Sequence, residues 1–493
     1  MLLISTRNSA NILDPLSAVL KGIADDGGLY VPSSFPVLSE DMIEGMKGKS
    51  CQRIAADVLG MYFEIDDDKL ARMTEDAYSG FSAKEVVPIT ELNDREYVME
   101  LYHGPTLAFK DVALQLLPRL MSEAISASDQ AEDVMILTAT SGDTGKAALE
   151  GFKNVPRTKI CVFYPEEGVS DMQRLQMVTT EGNNTYVAAI KGNFDDAQTA
   201  VKQVFTDSEC NKKINESGYV FSSANSINFG RLAPQIVYYI YGYVRLLEVG
   251  RIKYGDKMNV CVPTGNFGNI LAAYYAKRMG LPIGKFICAS NQNNVLTDFF
   301  DSGTYYSKRQ FFRTISPSMD ILISSNLERL VFEALSRDSV STAALMKELK
   351  QTGAYNLKDA TRVGLNGDFY ADFCDDNATL DTIRRVFNKY NYVMDTHTAV
   401  GQAALEKYLA HTDDPNPILL ASTASPFKFA SDVLKAISGE TVEDAFEASE
   451  RLANVSGLSI PRQITELNWK QVRFKDVCER TEIDKAVFKF AEQ

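Results

Sequence analysis

Histidine is scarce in this chain: three residues, at 103, 397 and 411, are all that 493 positions contain. A multi-histidine metal centre is therefore not expected. Seven cysteines, at 51, 161, 210, 261, 288, 374 and 478, form no C-x-x-C pair. That scatter argues against structural zinc and a disulfide framework, and for a reducing compartment. Positive charge is in deficit too, 51 Lys and Arg against 65 Asp and Glu for a net charge of -14. Non-specific nucleic-acid binding needs excess cations to displace phosphate counterions, so it is excluded, whereas a local pocket for a small anion is not. Long apolar runs are missing: "IVYYIYGYVRLLEVG" is broken by Arg245 and reads as a buried helix, not a membrane span. The N-terminus has a polar Ser-Thr-Arg-Asn-Ser run where a signal peptide needs an apolar core. A cytoplasmic protein is expected, and with no long extension before "STR" no upstream regulatory ligand site is expected either.

What is present is an ordinary globular composition, 45% hydrophobic and 24% charged, on a chain long enough for several domains or lobes. Residues 1–85 read as a small separate unit, with the turn "DDGGLYVPSSFP" and helical patterns near 16–24, 50–62 and 68–80. From 86 onward, short apolar runs alternate with amphipathic helices: "DVMILTAT", "TKICVFYP", "NTYVAAIKG", "KMNVCV", "GKFICAS" and "NPILLAS" are each strand candidates followed by a helix. That order predicts an α/β region, 86–440, of two parallel-sheet lobes with ligands at the carboxyl ends of the strands. Residues 300–390 break the rhythm as an irregular insertion, and 441–493 read as a mostly helical tail.

Chemistry is therefore expected in loops that follow strands. "VPTGNFGNILAAYYAKRMG" follows "KMNVCV", and its glycines allow backbone N–H groups to approach an anion beside a helix N-terminus. A plain glycine turn is the alternative reading. "TATSGDTGKAALEGF" gathers Thr138, Thr140, Ser141 and Thr144 at a helix start, suited to a carboxylate or phosphate, although N-capping explains part of it. It is no Walker loop, having Ala147 where Ser or Thr belongs, and "GNFGN" does not supply G-x-G-x-x-G. In "LYHGPTLAFKDVALQLLPRL", Lys110 stands among Leu107, Ala108, Phe109, Val112, Ala113 and Leu114 at the opening of a helical pattern. Burial and the helix dipole both oppose its charge there, the condition for a nucleophilic amine, while a snorkelling lysine beside Asp111 is the bland alternative. An amine in an apolar setting, a lysine-free phosphate cradle and an α/β scaffold together point to pyridoxal 5'-phosphate.

The motifs then fall into a known order. "STR" with "KGIADDGGLYVP", then "HGPTLAFKD", "TATSGDTGKAA", "SSANSINFGRLAPQ", "PTGNFGN", "DTHTAVG" and "STASPFKF" make the chain resemble the threonine synthases, pyridoxal-phosphate enzymes of the tryptophan-synthase β-like fold (fold type II). The resemblance implies that Lys110 forms the cofactor aldimine, that Gly265, Asn266, Phe267, Gly268 and Asn269 hold the cofactor phosphate, and that Thr423 lies near the pyridine nitrogen. It implies conversion of O-phospho-L-homoserine and water to L-threonine and phosphate, with Lys110 moving the Cα and Cβ protons. A second anion site is needed, for which Ser141, Thr144, Lys146, Ser226, Asn228 and Arg231 are candidates, while Asp143 is expected to face the cofactor's 3'-oxygen or an N–H cluster. The chain departs from the family's usual "STAHPAKF" at Ser425 and Phe427, and its "NILDPLSAVLKG" differs from the usual phenylalanine-bearing entry pattern. His103 and His397 lie in matched motifs, with chemical and structural roles both open. Alternatives are a phospholyase releasing a keto acid, a dehydratase of the same fold, and a catalytically silent phosphate-metabolite binding protein. The expected state is a monomer or homodimer without nucleic-acid, membrane or metal partners.

Overall fold

The computed structural model describes residues 1–493 apart from 129, 141, 167, 168 and 193 and the side chains of 194, 195 and 206. The alternating runs become two sheets. One has five parallel strands in the order Asp476–Cys478, Thr185–Ile190, Thr158–Pro165, Asp133–Ala139, Tyr219–Ser222. The other has six, in the order Phe369–Phe373, Ile283–Ser290, Met258–Pro263, Ile418–Ser422, Glu96–Glu100, Ile89–Glu91, parallel except for the last. Strands such as Met258–Pro263 and Ile418–Ser422 are buried along their whole length, as parallel strands covered by helices on both faces must be. The apolar run that looked like a buried helix is Phe229–Glu248, packed against helices Cys51–Gly60, Lys110–Leu114 and Gly268–Arg278. No helix among the described residues is long and apolar enough to cross a membrane.

Residues 1–85 add a detail that the sequence reading lacked, a three-stranded antiparallel sheet of Leu3–Ser5, Ile12–Leu13 and Tyr30–Pro32. Its helices are Pro15–Lys21, Glu40–Glu44, Cys51–Gly60 and Asp67–Tyr78. The first is shorter than the expected 16–24 because Gly22 turns to φ 75° and closes it. The stretch 300–390 carries regular elements: the two-stranded antiparallel sheet of Thr304–Tyr306 and Ala354–Asn356, four α-helices, and the edge strand Phe369–Phe373. The C-terminal stretch is mostly helical, but Asp476–Cys478 extends the five-stranded sheet.

Candidate active site

Five strands end at one locality. After Glu100, Ala139, Ser222, Pro263 and Ser422 the chain leaves its sheets into the five loops that the sequence singled out, at the carboxyl ends of the strands. Residues 105–110 run back along the loop after Ser422: Phe109 N–H donates to Thr423 O (2.9 Å), Ser425 N–H to Leu107 O (3.0 Å), and Ala108 bridges Ala424. This strap delivers Lys110 at the first turn of the short helix Lys110–Leu114. The longer helix expected there breaks at 115–116 and restarts as Leu117–Ala127, since Pro118 has no N–H to continue a ladder.

Lys110 Nζ donates to Ser318 Oγ (3.3 Å) and lies 3.5 Å from Asp143 Oδ2 and 4.9 Å from the Phe109 ring centroid. Burial lowers its ammonium below the ordinary range; Asp143 opposes this, and the charges of Lys428 and Arg231 add to it. Asp143 is enclosed by donors: Lys428 Nζ at 2.6 Å, Ser318 Oγ–H at 3.0 Å and Gln173 Nε2–H at 3.0 Å. Burial alone would raise this carboxyl, but Lys428 and Lys110 outweigh it and hold it well below the usual carboxylate range. Asp143 thus faces a cluster of side-chain N–H donors, two ammonium groups and the Gln173 amide, together with a hydroxyl.

The glycine loop has its carbonyls occupied and its amides free. Ser324 Oγ–H donates to Gly265 O (2.7 Å), Asn326 N–H (3.1 Å) and Nδ2–H (3.0 Å) donate to Asn266 O, and Ser325 Oγ–H reaches Asn266 Oδ1 (3.4 Å). The N–H groups of 265–270 find no acceptor among the described residues, and Asn269 Nδ2 is buried without a partner while its Oδ1 accepts from Tyr238 and Tyr239 (2.7 and 2.5 Å). Phe267 sits at φ 64°, held by packing with Phe300 and Phe369. This is a prepared anion cradle without a cation of its own.

A second anion donor is Arg231. It is buried, Nη1 donates to Ala224 O (2.9 Å), Nε has no partner, and no carboxylate pairs with it among the described residues. Burial pushes its guanidinium down to about 10. An uncompensated buried guanidinium is costly, so its place among the charges that act on Lys110 makes it a natural partner for an incoming anion.

The other expected residues divide. Thr423 is buried against the strap, Ser226 Oγ lies 3.4 Å from Ser325 Oγ beside the glycine loop, and Thr144 is half-buried on the first turn of helix Asp143–Phe152. Ser141 lies outside the described residues. Two candidates are committed elsewhere. Asn228 caps helix Phe229–Glu248 and donates to Val19 O and Ser223 O, and Lys146 pairs with Glu150 Oε1 (2.5 Å) and Thr180 Oγ1 (3.0 Å). His397 contacts the segment that carries Ser318: its Nε2 accepts from Ser318 N–H (3.1 Å) and its Nδ1 meets Asp395 Oδ1 (3.0 Å). His103 pairs with Glu100 (2.8 Å).

Three contributors escaped the sequence reading. Lys428 sits inside a quoted motif, between Phe427 and Phe429, the same apolar setting that drew attention to Lys110. Ser318 and Gln173 carry no local signal. The departures explain part of this: Ser425 Oγ caps Phe427 N–H (3.4 Å), opening the 3-10 turn Pro426–Phe429, and buried Phe427 seats it. The "STR" motif acts at a distance, Thr6 and Arg7 binding Glu328 (2.6 and 2.7 Å) at the start of the helix behind residues 324–326.

Comparison with known proteins agrees with this geometry. The family profile of the threonine synthase N terminus matches residues 3–78, that of pyridoxal-phosphate dependent enzymes 85–424, and that of the threonine synthase C-terminal region 398–484. Threonine synthase-like 1 of Homo sapiens is 40% identical over 439 residues, 87% of this chain but only 58% of that protein. Threonine synthase of Pseudomonas aeruginosa is 38% identical over 456 residues, 91% of this chain and 94% of that one. The crystal structure of PLP-bound threonine synthase from Brucella melitensis superposes with a TM-score of 0.89 at 36% identity, covering 100% of both chains. With matching profiles along nearly its whole length, the chain belongs to the threonine synthase family of pyridoxal-phosphate-dependent enzymes.

Proposed function

We propose that this protein converts O-phospho-L-homoserine and water to L-threonine and inorganic phosphate. One observation carries the reading: a buried lysine amine adjoins two separate anion sites, the amide cradle of 265–270, against which its partner Ser318 packs, and Arg231, whose charge acts on it and which has no carboxylate partner among the described residues. A cofactor phosphate and a substrate phosphate need two such sites around one amine. Pyridoxal phosphate, when bound, supplies an aldehyde for amines and a ring that accepts electrons from the substrate's Cα. The residues fit that group, because the cradle offers free N–H donors and Asn269 Nδ2 but no lysine to compete with Lys110. Residues 265–269 would hold its phosphate, Thr423 would lie at its ring and Asp143 at its polar edge.

The chain's own residues do the rest. Arg231, with Ser226 and Thr144, binds the substrate's phosphate and orients it. Lys110 Nζ takes the proton from Cα and returns protons at Cβ, which its lowered basicity permits. Ser318 Oγ steadies that nitrogen at 3.3 Å. Seven free cysteines, five of them buried, support a reducing setting. The cytoplasm, and a monomer or homodimer, are the proposed context.

A phospholyase is the second reading, favoured by the 40% identity to a protein named only threonine synthase-like. Incubation of the cofactor-loaded protein with O-phosphohomoserine separates them. Threonine and phosphate in equal amounts are expected; phosphate accompanied by 2-oxobutanoate and no threonine would overturn the synthase assignment.

A further inference from the structure

Among the described residues, Asp143 is the one carboxylate in contact with Lys110. Left as a simple pair in a buried site, it would hold the lysine as an ammonium, which cannot attack an aldehyde. The structure avoids this with a second cation. Lys428, whose side chain is 0% exposed, comes from the 3-10 turn Pro426–Phe429 and places Nζ 2.6 Å from Asp143 Oδ1, donating also to Thr106 O (3.0 Å). Gln173 takes the same Oδ1 and Ser318 takes Oδ2, so Lys110 is left with the longest contact, 3.5 Å. The other charged groups about this pair are Arg231, whose charge acts on Lys110, and Asp111, which feels Lys428. Asp111 is held by Thr106 N–H and Oγ1–H (2.8 and 2.7 Å), and burial raises its carboxyl to about 6.

We propose that Lys428 is a positioning residue, the close counter-ion of Asp143, which leaves the Lys110 amine only a long 3.5 Å contact with that carboxylate and free to bond the cofactor's aldehyde. The bond forms from Lys110 Nζ to the aldehyde carbon with loss of water, and Lys428 takes no part in the bond. The inference rests on the reading of Lys110 as the cofactor's lysine. It adds that a lysine absent from the cradle and from the anion sites decides when Lys110 is reactive.

The test uses the full-length protein stripped of cofactor and titrated with pyridoxal phosphate across pH. It follows the visible band and, after borohydride, the mass of the Lys110 peptide. Lys428→Met removes the counter-ion, so the pH midpoint of incorporation should rise by about one pH unit or more. Lys428→Arg should stay near wild type. Asp143→Asn leaves Lys428 as a lone positive charge beside Lys110 and should lower the midpoint, while Asp143→Asn with Lys428→Met removes both charges and should return it to the wild-type value. That ordering holds even if Lys428→Met alone fails to fold, because a matched pair can be removed with little penalty. Equal midpoints for Asp143→Asn and the double variant, or an unmoved midpoint in a folded Lys428→Met, overturn the inference. A wild-type protein that forms no band on Lys110 would instead overturn the cofactor reading itself.

Discussion

Two buried lysines in this chain show what a carboxylate partner does to an amine. Lys146 has Glu150 at 2.5 Å, with Lys153 on the other carboxylate oxygen at 2.9 Å. Burial would raise the Glu150 carboxyl, but Lys146 and Lys153 overcome it and bring it from 4.5 down to about 2. Such a lowered acid adds stability that is complete above pH 4.5 and is lost as pH falls towards 2. Glu150→Gln should therefore cost roughly 3 kcal/mol at neutral pH, with the gap to wild type closing in acid. Urea unfolding at about pH 7 and about pH 2.5 measures it; an equal gap at both values would refute the assignment. Lys110 has a longer contact and a carboxylate already claimed by Lys428, which on the proposed reading is what separates a reactive amine from a structural one. Its apolar setting was legible in the sequence. Lys428 was not, because its meaning depends on Asp143, which only the folded chain brings beside it.

The glycine loop shows how an element's function depends on what covers it. Residues 316–326, from the stretch expected to be irregular, lie across the loop: Ser324 and Asn326 hold its carbonyls, and Ser318 reaches Lys110 from the same segment. A Cβ on Gly265 would stand 2.8 Å from Ser318 O and 3.3 Å from Met319 Cα, both backbone atoms that cannot rotate aside. Gly265→Ala should therefore push the cover off the loop at a cost of about 1–3 kcal/mol, which weakens pyridoxal-phosphate binding by roughly tenfold or more. Titration of the stripped variant by absorbance reads the change, and an unaltered Kd would show that the close approach is not needed. Strands bounded by turns and made of apolar runs were legible by pattern. Glu96–Glu100 was not, since "EYVME" carries acids at both ends, yet it pairs with Ile418–Ser422 inside the six-stranded sheet. Its position there is set by tertiary pairing, which overrides local pattern.

At the scale of the whole molecule, the last fifty residues tie the two lobes together. Ile464 and Leu467 are buried in the apolar cluster that includes Ile418, Leu420 and Phe427, and Gln463 donates to Gly104 O (3.4 Å) at the head of the lysine strap. Further on, Arg473 reaches Val178 O and Thr180 O, Asp476–Cys478 joins the five-stranded sheet, and helix Ile483–Ala491 packs Val487, Phe488 and Phe490 with Ala188, Ile190 and Val201. Lys159 Nζ donates to Phe490 O and Ala491 O (3.0 and 3.1 Å), closing the helix end with a cation where its dipole favours one. Each half of the segment is thus seated on a different lobe, and the strap that carries Lys110 starts beside the first of them. Val487→Asp places an unpaired charge in a fully buried position and should unseat the terminal helix at a cost on the order of 3 kcal/mol. Because the neighbouring strand Asp476–Cys478 protects the edge Thr185–Ile190, hydrogen exchange of the amides there should quicken. The core of the six-stranded sheet, around Met258–Pro263, should exchange as in the wild type. Exchange that is unchanged at Thr185–Ile190 would mean that the segment rests on this lobe without holding it.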